Sequence, residues 1–249
     1  MNYLRAAVFY SVFVTANIIH SVLSLLVSPF LPFPARFRFV CSVNRLSLWW
    51  LRLVCGIRYE VIGREHLPSG GPFVILANHQ SEWETLFLQL LISPQCTVLK
   101  KELLRIPFFG WALALLKPIA IDRSQRARAM KQILQQGKAR LAEGIPVLIF
   151  PQGTRVPAGE VGKFNKGGAM LACSAEVPIV TIVHNAGEHW PSGRFPKTPG
   201  TIQVRVGPVI DTQGRKVDEV HQETTRWLQH HLEQQHPVAA RPEGEKAHL

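Results

Sequence analysis

Seven short apolar runs punctuate the chain, at Ile57–Ile62, Phe73–Ala77, Cys96–Leu99, Pro118–Ile121, Val147–Phe150, Pro178–Val183 and Thr201–Val206. Runs this short, bounded by Gly, Pro, Asn and Ser, predict buried strands. Helical spacing fills many of the intervals. In Ser124–Ala142, Met130, Ile133, Leu134 and Leu141 are apolar among interspersed Arg and Lys, and Trp83–Leu91 reads as a second helix. A last amphipathic helix is expected over Val217–Gln234, with Val220, Trp227, Leu228 and Leu232 on its packing side. Strands alternating with helices predict an α/β fold, a largely parallel mixed sheet flanked by helices.

The first 56 residues have a different pattern. From Ala6 to Val27 there is no charged side chain, and these 22 residues are enough to cross a hydrocarbon core. Pro29, Pro32 and Pro34 then break the helix, and Ala35–Gly56 begins another. In it Arg38, Arg45 and Arg52 recur every seventh residue and share one face, while Phe37, Val40, Leu48, Leu51 and Val54 share the other. The pair reads either as a spanning helix and then an interfacial one or as two helices dipping into a single leaflet. Asn17 and His20 disfavour full burial of the first. A cleaved signal peptide fits poorly, because the charged lead is a lone Arg5 and no A-x-A-like site comes after it. Arginines after the first segment outnumber Arg5, which predicts a cytoplasmic face for the remainder of the chain. The organisation expected is an anchor at 1–56, an α/β domain at 57–236 and a mobile polar tail at 237–249.

Charge sharpens this picture. The chain carries 28 Lys and Arg against 17 Asp and Glu, a formal net charge of +11, with 47% hydrophobic residues. Basic surfaces attract anionic headgroups, acidic carrier proteins or nucleic acid. No nucleic-acid motif is present, and the apolar N-terminus favours lipid. Cys41, Cys55, Cys96 and Cys173 form no C-x-x-C pair, so neither a disulfide framework nor a zinc site is expected. His184, His189 and Trp190 invite a metal or second-base reading, but their spacing fits no zinc pattern; His221, His230, His231 and His236 read as a solvated face. Trp49, Trp50 and Trp111 suit a headgroup zone, with core packing an equal reading for Trp111. The neighbouring run Ile106–Phe109 is apolar.

Candidate chemistry begins at LANHQSEWET. His79 and Glu84 are five residues apart, about 140° of helical rotation, so their side chains meet only if a turn intervenes. With Phe73–Ala77 a strand and Asn78–Ser81 a turn, His79 falls at a strand's carboxyl end and Glu84 in the first helical turn. A carboxylate on one imidazole nitrogen fixes the tautomer and prepares the other to accept a proton. The pair alone reads equally as a structural histidine at a helix start. A second strand ends in IFPQGTR, where Thr154 and Arg155 come after the turn residues Pro151 and Gly153 and make an anion clamp, or an ordinary solvated turn.

Taken together and in order, NHQSEWE, KKELLRIPFFGW, PIAIDR, IFPQGTR and VPIV resemble the ordered blocks of the glycerolipid acyltransferases, and among these the bacterial lysophosphatidate acyltransferases. The resemblance covers roughly Ile57 to Ile210. It implies that His79 is the catalytic base and that Glu84 stands where aspartate is usual. It implies phosphate binding by Arg123, Arg155 and Lys100 or its neighbour Lys101, with Gly153 and Thr154 completing that block. Val177, Pro178 and Ile179 match a block associated with the acyl donor. Three positions depart from the pattern: Glu84 is a methylene longer, Gln152 replaces a usual glutamate, and Thr181 replaces a common proline.

The implied partners are lysophosphatidate, acyl-CoA or acyl-acyl carrier protein, and an anionic phospholipid membrane, with no nucleic acid, no metal and no cofactor. The implied setting is the cytoplasmic face of a bacterial inner membrane. Acylation of glycerol-3-phosphate or of another lysophospholipid is the close alternative, and a non-catalytic basic membrane-binding module the distant one. A serine hydrolase would want a G-x-S-x-G elbow, which this sequence does not contain.

Overall fold

The computed structural model describes residues 1–235; the expected tail at 237–249, and His236 with it, lies outside the described residues. The chain opens with α1 (Asn2–Val27), a 3-10 turn at Ser28–Phe30, α2 (Phe33–Val40) and α3 (Ser42–Cys55). The single helix expected over Ala35–Gly56 is therefore two, bent at Cys41. Phe37, Val40 and Cys41 pack with Leu116, whereas Leu48, Leu51 and Cys55 pack with Phe9 and the body. The bend is made by a tight Asn44 N–H to Cys41 C=O bond of 3.1 Å, and Gly56 closes α3 in the left-handed region at φ 69°.

The body then runs β1 (Ile57–Ile62), β2 (Val74–Ala77), α4 (Trp83–Leu91), β3 (Cys96–Lys100), α5 (Phe109–Ala114), β4 (Ile119–Ile121), α6 (Arg126–Ala142) and β5 (Val147–Ile149). It continues through α7 (Gly167–Ala175), β6 (Ile179–His184), α8 (Ala186–His189), β7 (Gly200–Ile210) and α9 (Val217–Gln235). Among the described residues seven strands form one sheet in the order β1-β7-β6-β2-β5-β3-β4. Every neighbouring pair is parallel except β6 with β7. The expected largely parallel mixed sheet is borne out.

Strands β2, β5 and β6 are buried on both faces, which explains why they read as unbroken apolar runs rather than alternating ones. Their side chains divide between two cores. One gathers Val74, Leu76, Val147 and Ile179 with α6, α7 and α9; the other gathers Ile75, Ala77, Leu148 and Ile182 with α3, α4 and Phe9 of α1. Helix α7 packs so tightly that a Cβ on Gly168 would lie 2.3 Å from Leu76 Cδ2.

Helix α1 is joined to the body by an aromatic cluster. Phe9 meets Trp190 edge-on at 5.2 Å, and Lys197 Nζ lies 4.5 Å from the Tyr10 ring centre and 5.1 Å from that of Trp190. Burial draws Lys197 down to about 8 against the opposing pull of Glu82. The outward face of α1 is apolar and exposed, and Asn2–Phe30 is, by length and composition, enough to cross a membrane. Asn17 donates within the helix to Phe13 C=O at 2.8 Å, and His20 Nε2 lies 2.9 Å from Phe39 C=O of α2.

Candidate active site

The strand order explains the site. Strands β6, β2, β5, β3 and β4 are consecutive neighbours pointing the same way, so the residues after them converge on one sheet edge. His79 comes after β2, Arg155 after β5 and Arg123 after β4, while Lys100 ends β3 and His184 ends β6.

Residues 78–82 are not helical, and this turn brings Glu84 back under His79. Glu84 Oε1 accepts three bonds, from His79 Nδ1 at 2.7 Å and from the Gln80 and Ser81 amides at 2.9 Å each. Ser81 is itself buried, its hydroxyl accepting the Trp83 amide at 3.0 Å where α4 begins, so it is a capping residue rather than a nucleophile. Burial pushes the Glu84 carboxyl up, but the nearby His184 ring, the bond and charge of His79, and the Ser81 amide outweigh it and hold the group below the usual carboxylate range. The carboxylate is ionised and fixes a proton on His79 Nδ1. Among the described residues Nε2 takes no hydrogen-bond partner, and the ring lines both cavities of the site.

Three residues that sequence reasoning did not assign a role hold this histidine in place. Phe150 stacks on the imidazole at 4.2 Å with the planes 17° apart. Gln152 Oε1 accepts the His79 amide at 2.7 Å while its Nε2 donates to Val161 C=O at 2.6 Å, and the Val156 amide donates to His79 C=O at 2.8 Å. A carboxylate at position 152 would accept from His79 but has no proton for Val161, which gives the departure to glutamine a local reason. Asn78 clamps β2 to β6: its amide donates to His184 C=O and its carbonyl oxygen accepts the His184 amide, both at 2.9 Å. His184 in turn lies with Nε2 2.9 Å from Asn78 C=O, which makes it a buried structural histidine. No group of three or more metal-binding side chains occurs among the described residues.

Two cavities meet at His79. One, of about 800 Å³, is basic, with Lys100, Arg123, Arg155 and Arg194 in its lining beside Thr154. The other, of about 470 Å³, is an apolar groove running between α1, α2 and α5 and the body. His79, Lys100, Leu103, Arg123 and Arg155 border both. Arg155 Nη1 pairs with Glu82 Oε1 at 2.8 Å and donates to Ser192 Oγ at 3.2 Å. Arg123 is drawn below the ordinary guanidinium value by desolvation, resisted by Glu102 and aided by the like charge of Arg155. Two guanidiniums close enough to repel one another at the border of one cavity form an arrangement that an anion between them would relieve.

Other expected residues stand apart. Lys101 Nζ is 2.5 Å from Asp122 Oδ2 and lines neither cavity; it and Ser124 hold the Asp122 carboxyl below its usual range. Gly153 supplies the turn, at φ 72°, without facing either space. Val177 and Ile179 are core residues, and the Pro178 C=O accepts the Val74 amide at 2.9 Å. They precede or begin β6, about 20 Å of strand away from the edge that carries His184. The structure does not bring this trio to the site.

A buried carboxylate–imidazole pair thus stands where a basic cavity and an apolar groove meet, a setting for proton transfer. A family model described as Acyltransferase matches residues 58–185, and the chain belongs to that family. It is 47% identical over 242 residues to a 1-acyl-sn-glycerol-3-phosphate acyltransferase of Pseudomonas aeruginosa, covering 96% of this chain and 94% of that one. It is 35% identical over 183 residues to a 1-acyl-sn-glycerol-3-phosphate acyltransferase alpha of Bos taurus, spanning 72% of this chain and 63% of the relative. The fold matches the 1-acyl-sn-glycerophosphate acyltransferase of Thermotoga maritima with a TM-score of 0.75 at 22% identity, over 96% of this chain and 98% of that one. The chain is an acyltransferase.

Proposed function

We propose that the chain transfers an acyl group from an acyl thioester to the free sn-2 hydroxyl of 1-acyl-sn-glycerol-3-phosphate, forming phosphatidate. The observation that carries this reading is the meeting of the basic and apolar cavities at His79. An acceptor of this kind has a phosphate monoester, a hydroxyl and an apolar tail, and the site offers guanidiniums, an imidazole and an apolar groove in the same relation. The names of the relatives from Pseudomonas aeruginosa and Bos taurus support the same acceptor.

In the reaction, Arg123, Arg155 and Lys100 hold the phosphate, and this sets the hydroxyl beside Nε2 of His79. As the hydroxyl oxygen attacks the thioester carbonyl, its proton passes to Nε2, and the Glu84 carboxylate stabilises the imidazolium. Collapse of the tetrahedral adduct expels the thiolate, which takes the proton from Nε2. General-base assistance of this kind contributes roughly 10² to 10⁴-fold, and holding acceptor and donor in register supplies the rest. The thioester is already activated, so no acyl-enzyme is needed. The N-terminal helices seat the enzyme in one leaflet of a bacterial inner membrane, because α1 packs along the body through Phe9 rather than standing clear of it. The body then faces the cytoplasm.

The test is incubation of purified enzyme in vesicles with 1-acyl-sn-glycerol-3-phosphate, glycerol-3-phosphate or lysophosphatidylcholine, each with acyl-CoA or acyl-acyl carrier protein, products being read by mass. Phosphatidate from the first acceptor is expected. His79→Ala is expected to lose at least about 10²-fold in kcat while floating with vesicles as the parent does; full activity in that variant would remove the base.

A further inference from the structure

The segment joining β3 to α5 carries a feature that catalysis does not use. Phe108 sits at φ 61° and ψ −63°, and the Phe109 amide donates to Pro107 C=O at 2.7 Å. This is a positive-φ γ-turn, rare and strained, and here it is built on a phenylalanine rather than a glycine. Such a conformation persists only where its surroundings enforce it. They do: Gly110 lies so close to the 3-10 turn Lys101–Arg105 that a Cβ would come 2.4 Å from Leu103 O.

The turn's product is a rigid knuckle of exposed apolar side chains. Ile106 is 44% exposed, Phe108 39%, Phe109 42% and Trp111 48%, with the Phe108 and Trp111 rings 5.5 Å apart. Water is a poor setting for four large apolar groups held in one place by a strained backbone. The knuckle also has a definite position. Helix α5 packs against α1, and Leu103 and Phe109 line the apolar groove together with Phe13 of α1. It therefore extends the exposed apolar face of α1 to the mouth of that groove. Arg105 lies next to it in the chain, and a cation beside exposed apolar side chains suits an anionic headgroup above an acyl layer.

We infer that this knuckle is a membrane wedge: Phe108 and Trp111 enter an anionic leaflet beside α1 and set the groove mouth at acyl depth, so that the lipid substrate enters sideways without crossing water. The role assigned to the groove rests on the acyltransferase reading above; the insertion itself does not.

The test uses the full chain and vesicles of phosphatidylcholine and phosphatidylglycerol, with and without brominated acyl chains. Trp111→Phe keeps an aromatic wedge and defines the Trp111 emission by difference. That difference emission is expected to be quenched by bromolipid. A double variant, Phe108→Gly with Trp111→Ser, removes the wedge while giving the γ-turn the residue that adopts it without strain. Neither residue lines either cavity of the site, so turnover of a short-chain acceptor dissolved as monomers is expected to stay at the parent's rate. Vesicle partition and turnover of vesicle-held acceptor are expected to fall about tenfold. Trp111 emission indifferent to bromolipid, unchanged partition, or a defect confined to reactions with a protein-borne donor would each overturn the wedge. Quenching needs no turnover, so an enzyme inactive on lysophosphatidate whose Trp111 is still quenched would sink the acceptor and leave the wedge standing.

Discussion

Glu84 decides the chemistry at the residue scale, because a single oxygen accepts the imidazole and two backbone amides at once. Glu84→Gln leaves an acceptor for the amides but removes the charge opposite the imidazolium. The expected result is a fall in kcat of roughly 10² to 10⁴-fold with KM little changed, measured by steady-state kinetics beside circular dichroism. The same residue leaves a mark on stability. Its folded pKa is depressed, so its contribution is complete above the pKa of the unfolded carboxyl and declines as the pH falls from there to the lower folded value. Urea unfolding at a series of acid pH values is expected to show that decline in the parent and a shallower one in Glu84→Gln, where Asp122 and the other depressed carboxyls still contribute. The pair was legible in the sequence because a five-residue separation forces a turn. Gln152, Asn78, Phe150 and the structural role of His184 were not, since each depends on a strand neighbour more than 70 residues away in the chain, as the Asn78 to His184 and His79 to Gln152 bonds do at 106 and 73 residues.

Elements were legible wherever a periodicity belonged to them. Strand β1 and helix α4 match their expected limits, and α6 starts two residues later than Ser124 because Asp122 Oδ1 accepts both the amide and the hydroxyl of Ser124, at 3.0 and 2.6 Å, in a turn that precedes the helix. Helix α7 went unread because GGAMLACSA has almost no polar face to mark a period and opens on two glycines, the second of which its close approach to Leu76 requires. Helix α5 is short and begins just after the strained turn at Phe108, a conformation no propensity scale assigns to phenylalanine. Its one glycine gives the prediction for this scale. In Gly110→Ala the new methyl would meet Leu103 O at 2.4 Å and Leu104 C at 2.7 Å, both backbone, so the turn and α5 must separate. A loss of about 1–3 kcal/mol is expected, read as a lowered melting temperature in thermal denaturation.

For the molecule as a whole, composition marks a border at residue 56 that packing does not respect. Phe9, Leu48, Leu51 and Cys55 share one core with Ile57, Phe73, Trp83 and Trp190, and Lys197 closes over Tyr10. That continuity was invisible in the sequence, since an apolar segment destined for lipid and one destined for a protein core look alike. It also fixes what truncation does. Each large side chain uncovered costs roughly 1.5–3 kcal/mol, and the total stability of a domain is only about 5–15 kcal/mol. Cutting residues 1–56 removes four buried members of that core outright, leaves Trp190 and Ile57 facing water, and deletes one wall of the apolar groove. The fragment beginning at Ile57 is thus expected to aggregate or remain inactive on size exclusion and assay, rather than emerge as a soluble enzyme. A monodisperse, active fragment would mean that the helices only tether the body; an insoluble one means that they complete its core, the same packing that gives the apolar groove one of its walls.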